Sequence, residues 1–290
     1  MTENKITKNI VVFYHAECND GFGGAWAAWK KFGDEADYIP TGHETYLSGG
    51  LKGKKVFFID IIPDKVDEIE IEKITEENKS VVAIDHHKTN EPKMKFFKEY
   101  YFDNNHSGAV LAWKYFHPDK PVPKILLFIE DVDIWKWEYP ETGNFISAFT
   151  LYDFTFEIFD RVSLDAEDPE KLKDYLFKGE IISKYDQKIV KWLIETRIKV
   201  RFDGYEVYAI NAPDFIGGQV AHHLANLFPP FAFIWRQEKD MIHVSLRSAK
   251  GNNFDVSEIA KKYGGGGHKA AAGFSFLVGQ PFPWKIVKNE

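Results

Sequence analysis

Three short apolar runs, each ending at a side chain that can hold a metal, constrain the fold of this 290-residue chain more than any other feature. Val81-Val82-Ala83-Ile84 stops at Asp85-His86-His87. Val56-Phe57-Phe58-Ile59 stops at Asp60. Ile10-Val11-Val12-Phe13-Tyr14 stops at His15, with Cys18 and Asp20 close behind. Runs of this length and β-branched content predict strands buried on both faces, as in a parallel sheet. In open α/β sheets, ligands gather just beyond the carboxyl ends of the strands. Three strands would then bring His15, Asp20, Asp60, Asp85, His86 and His87 to one edge. Carboxylates and imidazoles together can hold a divalent cation and still supply a proton. Taken alone, the Asp85-His86-His87 triplet would serve equally as a turn cap with two solvated histidines. Its recurrence on three strands points to a metal site.

The segments between these runs fit the same architecture. Apolar residues at Val66, Ile69, Ile71 and Ile74 predict a helix within 64–78, which makes a right-handed βαβ unit of the strands ending at Asp60 and Asp85. Asp20-Gly21-Phe22-Gly23-Gly24 reads as a tight turn before an Ala-rich helix, whose small residues let it start close to the strand ends. Residues 37–54 read as a loop-rich crossover with His43 on the surface. Lys88, Lys93, Lys95 and Lys98 read as a solvated basic loop. Tyr100-Tyr101-Phe102 reads as a strand. Ser107 is a natural N-cap for a helix over 109–116. A helix over 124–134 delivers Glu130-Asp131-Val132-Asp133, and spacing leaves open whether Asp131 or Asp133 faces the strand ends. Trp135 and Trp137 follow at once, placed to stack a base or to pack in a core.

Residues 144–203 read as helix and loop. A long amphipathic helix is expected over 180–201, linking two domains, with Arg197, Lys199 and Arg201 at its basic end. Strands are expected at 205–210, 231–235, 242–246 and 274–277, and helices at 219–228, after Gly217-Gly218, and at 256–263. The last helix runs into Gly264-Gly265-Gly266-Gly267-His268-Lys269. Four glycines are costly to order. A strand follows immediately, so the run is expected to be an anion-binding nest of N–H groups rather than a loose linker.

Composition limits the partners. Net charge of −7 argues against a broad duplex-binding face, because phosphate neutralisation needs a basic footprint. A single cysteine excludes an internal disulfide and suits a reducing compartment. The first apolar run is too short for a signal peptide or membrane span, so a cytoplasmic protein with no membrane partner is expected.

IDHHKT, FFIDI, HAECNDGFGGAWAA and GGGGHKAAAGF together resemble the motifs of the DHH phosphoesterase superfamily, of the kind with a C-terminal DHH-associated domain. That group includes RecJ-like exonucleases, nanoRNA and pAp phosphatases and cyclic dinucleotide phosphodiesterases. The resemblance implies an α/β fold: residues 1–150 a parallel-sheet DHH domain with flanking helices, 151–203 a helical connector, and 204–290 a smaller α/β domain with a mixed sheet. It implies metal-assisted hydrolysis of phosphodiester or phosphomonoester bonds in a short oligonucleotide, cyclic dinucleotide or small nucleotide. One ion would use His15 and Asp60. Another would use Asp20, Asp60, His86 and Asp131, with Asp85 orienting from behind and His87 as general acid or phosphate contact. Manganese is the expected metal, with magnesium next, at one or two ions per chain. Ser107, Arg247, Ser248, Gly265, Gly266, Gly267 and His268 would bind substrate. Many relatives carry an Asp where Cys18 stands. A thiolate there would favour softer metals, and a missing ligand would leave the alternative of a non-catalytic nucleotide sensor. Oligomeric state is left open, a homodimer included.

Overall fold

The computed structural model describes residues 6–43, 45–47, 50–249 and 251–287. The chain divides into two compact units, Met1–Ile182 and Ser183–Glu290. No described helix is long and apolar enough to cross a membrane.

Unit 1 opens with β1 (Ile10–His15), α1 (Asn19–Phe32), β2 (Ala36–Thr41), β3 (Lys55–Ile59), α2 (Glu68–Glu77) and β4 (Ser80–Asp85). It continues with the short α3 (Glu91–Met94), β5 (Glu99–Phe102), α4 (Gly108–Phe116), α5 (Lys124–Asp133), α6 (Thr142–Phe149) and α7 (Phe156–Glu167). All five strands are parallel, in the order β2-β1-β3-β4-β5. The unbroken apolar runs have the expected cause. Val12, Tyr14, Phe57, Ile59, Val82 and Ile84 face one core with α1, α4 and α5. Val11, Phe13, Val56, Phe58, Val81 and Ala83 alternate with them into a second core that includes Ile71 and Ile74 of α2.

The register places the chemistry. Tyr14 pairs with Ile59, and Ile59 with Ile84, so His15, Asp60 and Asp85 fall side by side one step further on. Neighbouring strands lie about 4.8 Å apart, which sets the scale of the cluster. α1 is held against this edge by glycine. A Cβ on Gly21 would lie 2.2 Å from the His15 carbonyl oxygen, and one on Gly24 would lie 2.4 Å from Ile59 Cγ2. These glycines lie within the helix, which already begins at Asn19, rather than in a turn before it. The expected loop-rich crossover contains β2, an edge strand that tolerates Pro40 because it pairs on one side only.

The helix expected over 180–201 is α8, running from Pro169 to Glu195 and crossing the boundary between the units. It ends where Ile198–Phe202 becomes β6, so Lys199 and Arg201 stand on a strand, both paired to Glu206. Residues 198–202 therefore belong to the sheet of unit 2 and not to a helical connector. That unit adds β7 (Tyr205–Asn211), α9 (Asp214–Leu227), β8 (Phe231–Glu238), β9 (Met241–Ser248), α10 (Val256–Lys262), β10 (Gly266–His268), β11 (Ala271–Leu277) and β12 (Trp284–Ile286). Its seven strands run β10-β11-β9-β8-β7-β6-β12, antiparallel except for the β7–β8 pair. Gly217 and Gly218 lie inside α9 rather than before it.

The packing at Gly24 gives a direct test. Gly24→Ala should destabilise unit 1 by about 1–3 kcal/mol through overpacking against Ile59. The shift in its urea-unfolding midpoint checks this, and a wild-type midpoint would contradict the close approach of α1 to β3.

Candidate metal centre

Five acidic side chains are buried among the described residues: Asp20, Asp60, Asp85, Glu130 and Asp131. A buried carboxylate is tolerated only with compensation, so its partners reveal its role. Asp85 Oδ1 accepts from the backbone N–H groups of His86 (2.6 Å) and His87 (2.9 Å) and from His87 Nδ1 (2.7 Å), and Oδ2 accepts from Asn90 Nδ2 (2.7 Å). Asp20 accepts from the N–H groups of Gly108 (2.7 Å) and Ala109 (2.8 Å), at the start of α4, where the helix dipole also favours an anion. Ser107 caps the same helix through Val110 N–H, and its own N–H goes to Glu130. Glu130 also binds His106 and Lys136.

Asp60 is the exception. Its Oδ1 is buried with no hydrogen-bond partner, and so are His15 Nδ1 and His86 Nε2. The two rings crowd the Asp60 carboxylate without hydrogen-bond geometry: His15 Nδ1 is 3.3 Å from Oδ2, and His86 Nε2 is 3.2 Å from Oδ1. Lone pairs aimed into a shared gap fit a cation. Around them, ligand atoms lie within 4.8 Å of one another in three overlapping sets: Asp60 with Asp85, His86 and His87; His15 with Cys18 and Asp60; and Asp20 with His86 and Asp133. Asp60 and His86 each belong to two sets. Asp60 itself adopts φ of 61°, and a Cβ on Gly108 would lie 2.6 Å from the Asp60 Cβ. That position must be glycine for Asp60 to stay where it is.

Asp131, the residue expected to reach the metal, does not join the cluster. Its carboxylate accepts from Glu138 N–H (2.7 Å), Tyr139 N–H (3.2 Å) and Thr142 Oγ1 (2.6 Å). Asp133 reaches instead, with Oδ2 3.5 Å from His86 Nε2. Residues two apart on a helix point about 200° apart, so only one of the two can face the strand ends. His43 is exposed, as expected, yet its ring lies 5.1 Å from that of His15. It sits in a loop with no motif to signal it.

Burial opposes charge throughout the cluster. Burial would raise the Asp60 carboxyl, but His15 and His86 outweigh it and hold Asp60 below the usual carboxylate range. Burial, then the charge of Asp60, pushes Asp133 up. Burial, then Asp60 and Asp133, pushes Asp20 well up, against the pull of His86 and the Ser107 side chain. Burial, then Asp60 and Asp20, pushes the Cys18 thiol up to about 12. Without a cation beside it, Cys18 keeps its proton. For His87, burial disfavours charge but Asp85 and Asp60 raise its affinity for a proton. Ionised Asp85 can only accept, so His87 Nδ1 carries a hydrogen and Nε2 is left for other chemistry.

In unit 2, Arg247 on β9 pairs with Ala271 on β11, which pairs with His268 on β10, so the three fall in one row. The side chain of His268 lies outside the described residues. Ser248 Oγ is buried without a hydrogen-bond partner. The glycine run does not form a separate nest, because Gly266–His268 and Ala271–Leu277 pair as a hairpin. Gly265 N–H is already bound to the Ala260 carbonyl. A Cβ on Gly265 would lie 2.0 Å from the Gly273 carbonyl oxygen, and Gly267 has φ of 133°. Gly266 meets neither restriction. Arg247 also lines a cavity of about 220 Å³ with Gly217, Gly218, Trp235, Arg236, His243 and Ser245.

Residues 207–278 match the DHHA1 domain family. An uncharacterised protein of Acanthamoeba polyphaga mimivirus is 31% identical over 292 residues, covering 92% of this chain and 67% of the relative. The chain is a member of the DHH superfamily and carries a DHHA1 domain. Oligoribonuclease NrnB of Bacillus subtilis is 25% identical over 242 residues, covering 76% of this chain and 59% of NrnB. The chain thus spans about three fifths to two thirds of these relatives. Two solved structures share the DHH fold. The DHH domain of a member of a ribosomal-protein family has a TM-score of 0.62 at 13% identity, covering 93% of this chain and 83% of that one. RecJ of Thermus thermophilus in complex with Mn²⁺ has a TM-score of 0.52 at 15% identity, covering 92% of this chain and 49% of RecJ.

The electrostatics set a pH dependence. Burial opposes the charge on His86, but Asp60 and Asp20 raise its pKa from 6.5 to about 9. A raised folded pKa adds stability that is complete below the unfolded value and is lost as pH climbs through the folded one. The metal-free protein should therefore lose stability between pH 6.5 and 9. Affinity for a divalent cation should rise over the same window, because a ligating nitrogen must shed its proton. Thermal melts and calorimetric metal titrations at several pH values test both trends, and flat profiles would contradict them.

Proposed function

We propose that this chain is a metal-dependent phosphoesterase that hydrolyses phosphodiester or phosphomonoester bonds of short oligonucleotides or small nucleotides. The observation that carries this reading is the triad of unpartnered buried atoms, Asp60 Oδ1, His15 Nδ1 and His86 Nε2, at the carboxyl edge of a parallel sheet. The relationship to an oligoribonuclease supports the substrate class, and the net charge of −7 favours small substrates over long duplexes.

His15, Asp20, Asp60, His86 and Asp133 would hold one or two divalent ions, with manganese preferred by the mixed nitrogen and oxygen donors. Such ions supply a water of lowered pKa and neutralise phosphoryl oxygens. The chain's own residues provide the rest. Hydrolysis forms a bond from water oxygen to phosphorus and breaks the ester P–O bond, and the leaving oxygen must gain a proton. His87 Nε2 is the group to give it, because Asp85 fixes the ring through Nδ1 and favours the protonated form. Asp85 orients both histidines through their backbone N–H groups and needs no contact with substrate. Within the DHHA1 domain, Arg247, Ser248, Gly266, Gly267 and His268 would bind phosphate or base, while Gly265 gives its N–H to the Ala260 carbonyl.

Cys18 favours a second reading, a nucleotide-binding sensor with a weak site at His15. Its thiol is pushed up to about 12, so it is a poor ligand unless a cation displaces the proton. Purified protein with manganese, offered a diribonucleotide, pAp and a cyclic dinucleotide, separates the two readings. Product from any of them supports the phosphoesterase, and tight binding with no product supports the sensor.

Two substitutions probe the residues. Asp60→Ala should abolish turnover, because Asp60 belongs to both ligand sets on the His15 side and the His86 side; a wild-type rate would exclude its central role. Asp133→Asn should weaken metal binding roughly 10- to 100-fold, while Asp131→Asn should mainly lower Tm. The reverse pattern in a paired metal titration and melt would restore Asp131 as the ligand.

A further inference from the structure

Asp131 leaves the metal cluster for another task, which is to fold the loop after α5. Its carbonyl oxygen accepts from Lys136 N–H (2.9 Å) and Trp137 N–H (3.3 Å). Its carboxylate accepts from Glu138, Tyr139 and Thr142. One buried residue therefore ties down each of residues 136–139. The product is an unusual backbone: Trp135 has φ of 62° and Trp137 has φ of 57°. Bulky residues rarely occupy this region, and such outliers persist where the surroundings over-determine them, often at ligand sites.

The strain presents two indoles to solvent. Trp135 is 51% exposed and Trp137 47% exposed, and their rings meet edge to face with centroids 5.2 Å apart. Burying them would be worth more to folding than displaying them, so stability does not explain their position. Trp135 lies two residues after Asp133, whose carboxylate is 3.5 Å from His86 Nε2. Two residues of chain span at most about 7 Å.

We infer that Trp135 and Trp137 form a stacking platform for a nucleobase of the substrate, fixed beside the phosphate-processing cluster by the Asp131-tied loop. The inference rests on the phosphoesterase reading and deepens it: the substrate is recognised as a nucleotide, through the face of a base, rather than as a phosphate ester alone. The two indoles stand edge to face, so one presents its face for a base to stack on while the other walls its side. Stacking on a π-face tolerates any base, so the platform selects for nucleotides without selecting sequence. Because the rings are held in place before binding, little ordering cost falls on the complex.

The test pairs protein and substrate changes. Trp135→Ala and Trp137→Ala are each assayed with a dinucleotide and with the same compound lacking the base at one or the other end. Each variant should raise KM for the intact dinucleotide roughly 5- to 100-fold, the range of one lost base stack, with kcat within about threefold. The effect should vanish for one of the two abasic compounds. Trp→Phe variants should recover much of the loss. Equal effects on intact and abasic substrates, a fall confined to kcat, or no change at all would each overturn the platform. Melting curves identify any variant that loses its fold, and the Trp→Phe pair then decides. If wild-type protein turns over none of these compounds, the phosphoesterase reading fails. Equilibrium binding of the intact and abasic dinucleotides to wild type and variants then tests the platform on its own.

Discussion

The unit 1 site depends on one buried carboxylate, Asp60, whose Oδ1 has no hydrogen-bond partner and whose negative charge is favoured chiefly by His15 and His86. Asp60 sits at the end of β3 in a left-handed conformation, packed against Gly108, with His15 and His86 closing on it from neighbouring strands. An ionised carboxylate in such surroundings normally draws hydrogen-bond donors. Here Asp60 Oδ1, His15 Nδ1 and His86 Nε2 are all buried without a hydrogen-bond partner. The parallel register of β1, β3 and β4 makes that juxtaposition unavoidable, because it sets His15, Asp60 and Asp85 in a row.

The other buried acids keep that arrangement in place, each through a separate set of bonds. Asp85 shapes the turn that carries His86 and His87. Asp20 ties α1 to the N-terminus of α4, and Glu130 holds Ser107 at the same point. Asp131 governs the loop beyond α5. Ligand-holding and loop-holding acids thus alternate along short stretches of sequence, and neighbours such as Asp131 and Asp133 do different work.

Much of this was legible in the residues. Apolar runs without polar interruption can be buried on both faces only in a covered parallel sheet, and their terminal residues then share an edge by register. That logic places His15, Asp60, Asp85, His86 and His87 without any contact information. What could not be read was direction around a helix, because the start of α5 sets which of Asp131 and Asp133 faces inward. β2 was hidden by Pro40 and its polar neighbours, which only an edge strand accepts. The glycine run at 264–267 signalled close backbone approach correctly. The approach is to the Gly273 and Ala271 carbonyls of a hairpin. The short strand that follows α8 did carry a signal of its own, since Ile198–Phe202 alternates apolar and basic residues with the period of a strand, unlike the helix before it.

Manganese-edge anomalous diffraction from crystals grown with the ion decides whether Asp60 holds a cation. An anomalous peak is expected within coordination distance of Asp60 and at least one of His15 and His86. Peaks only elsewhere, or an Asp60 that takes its hydrogen bonds from protein donors with no ion beside it, would contradict a cation at Asp60.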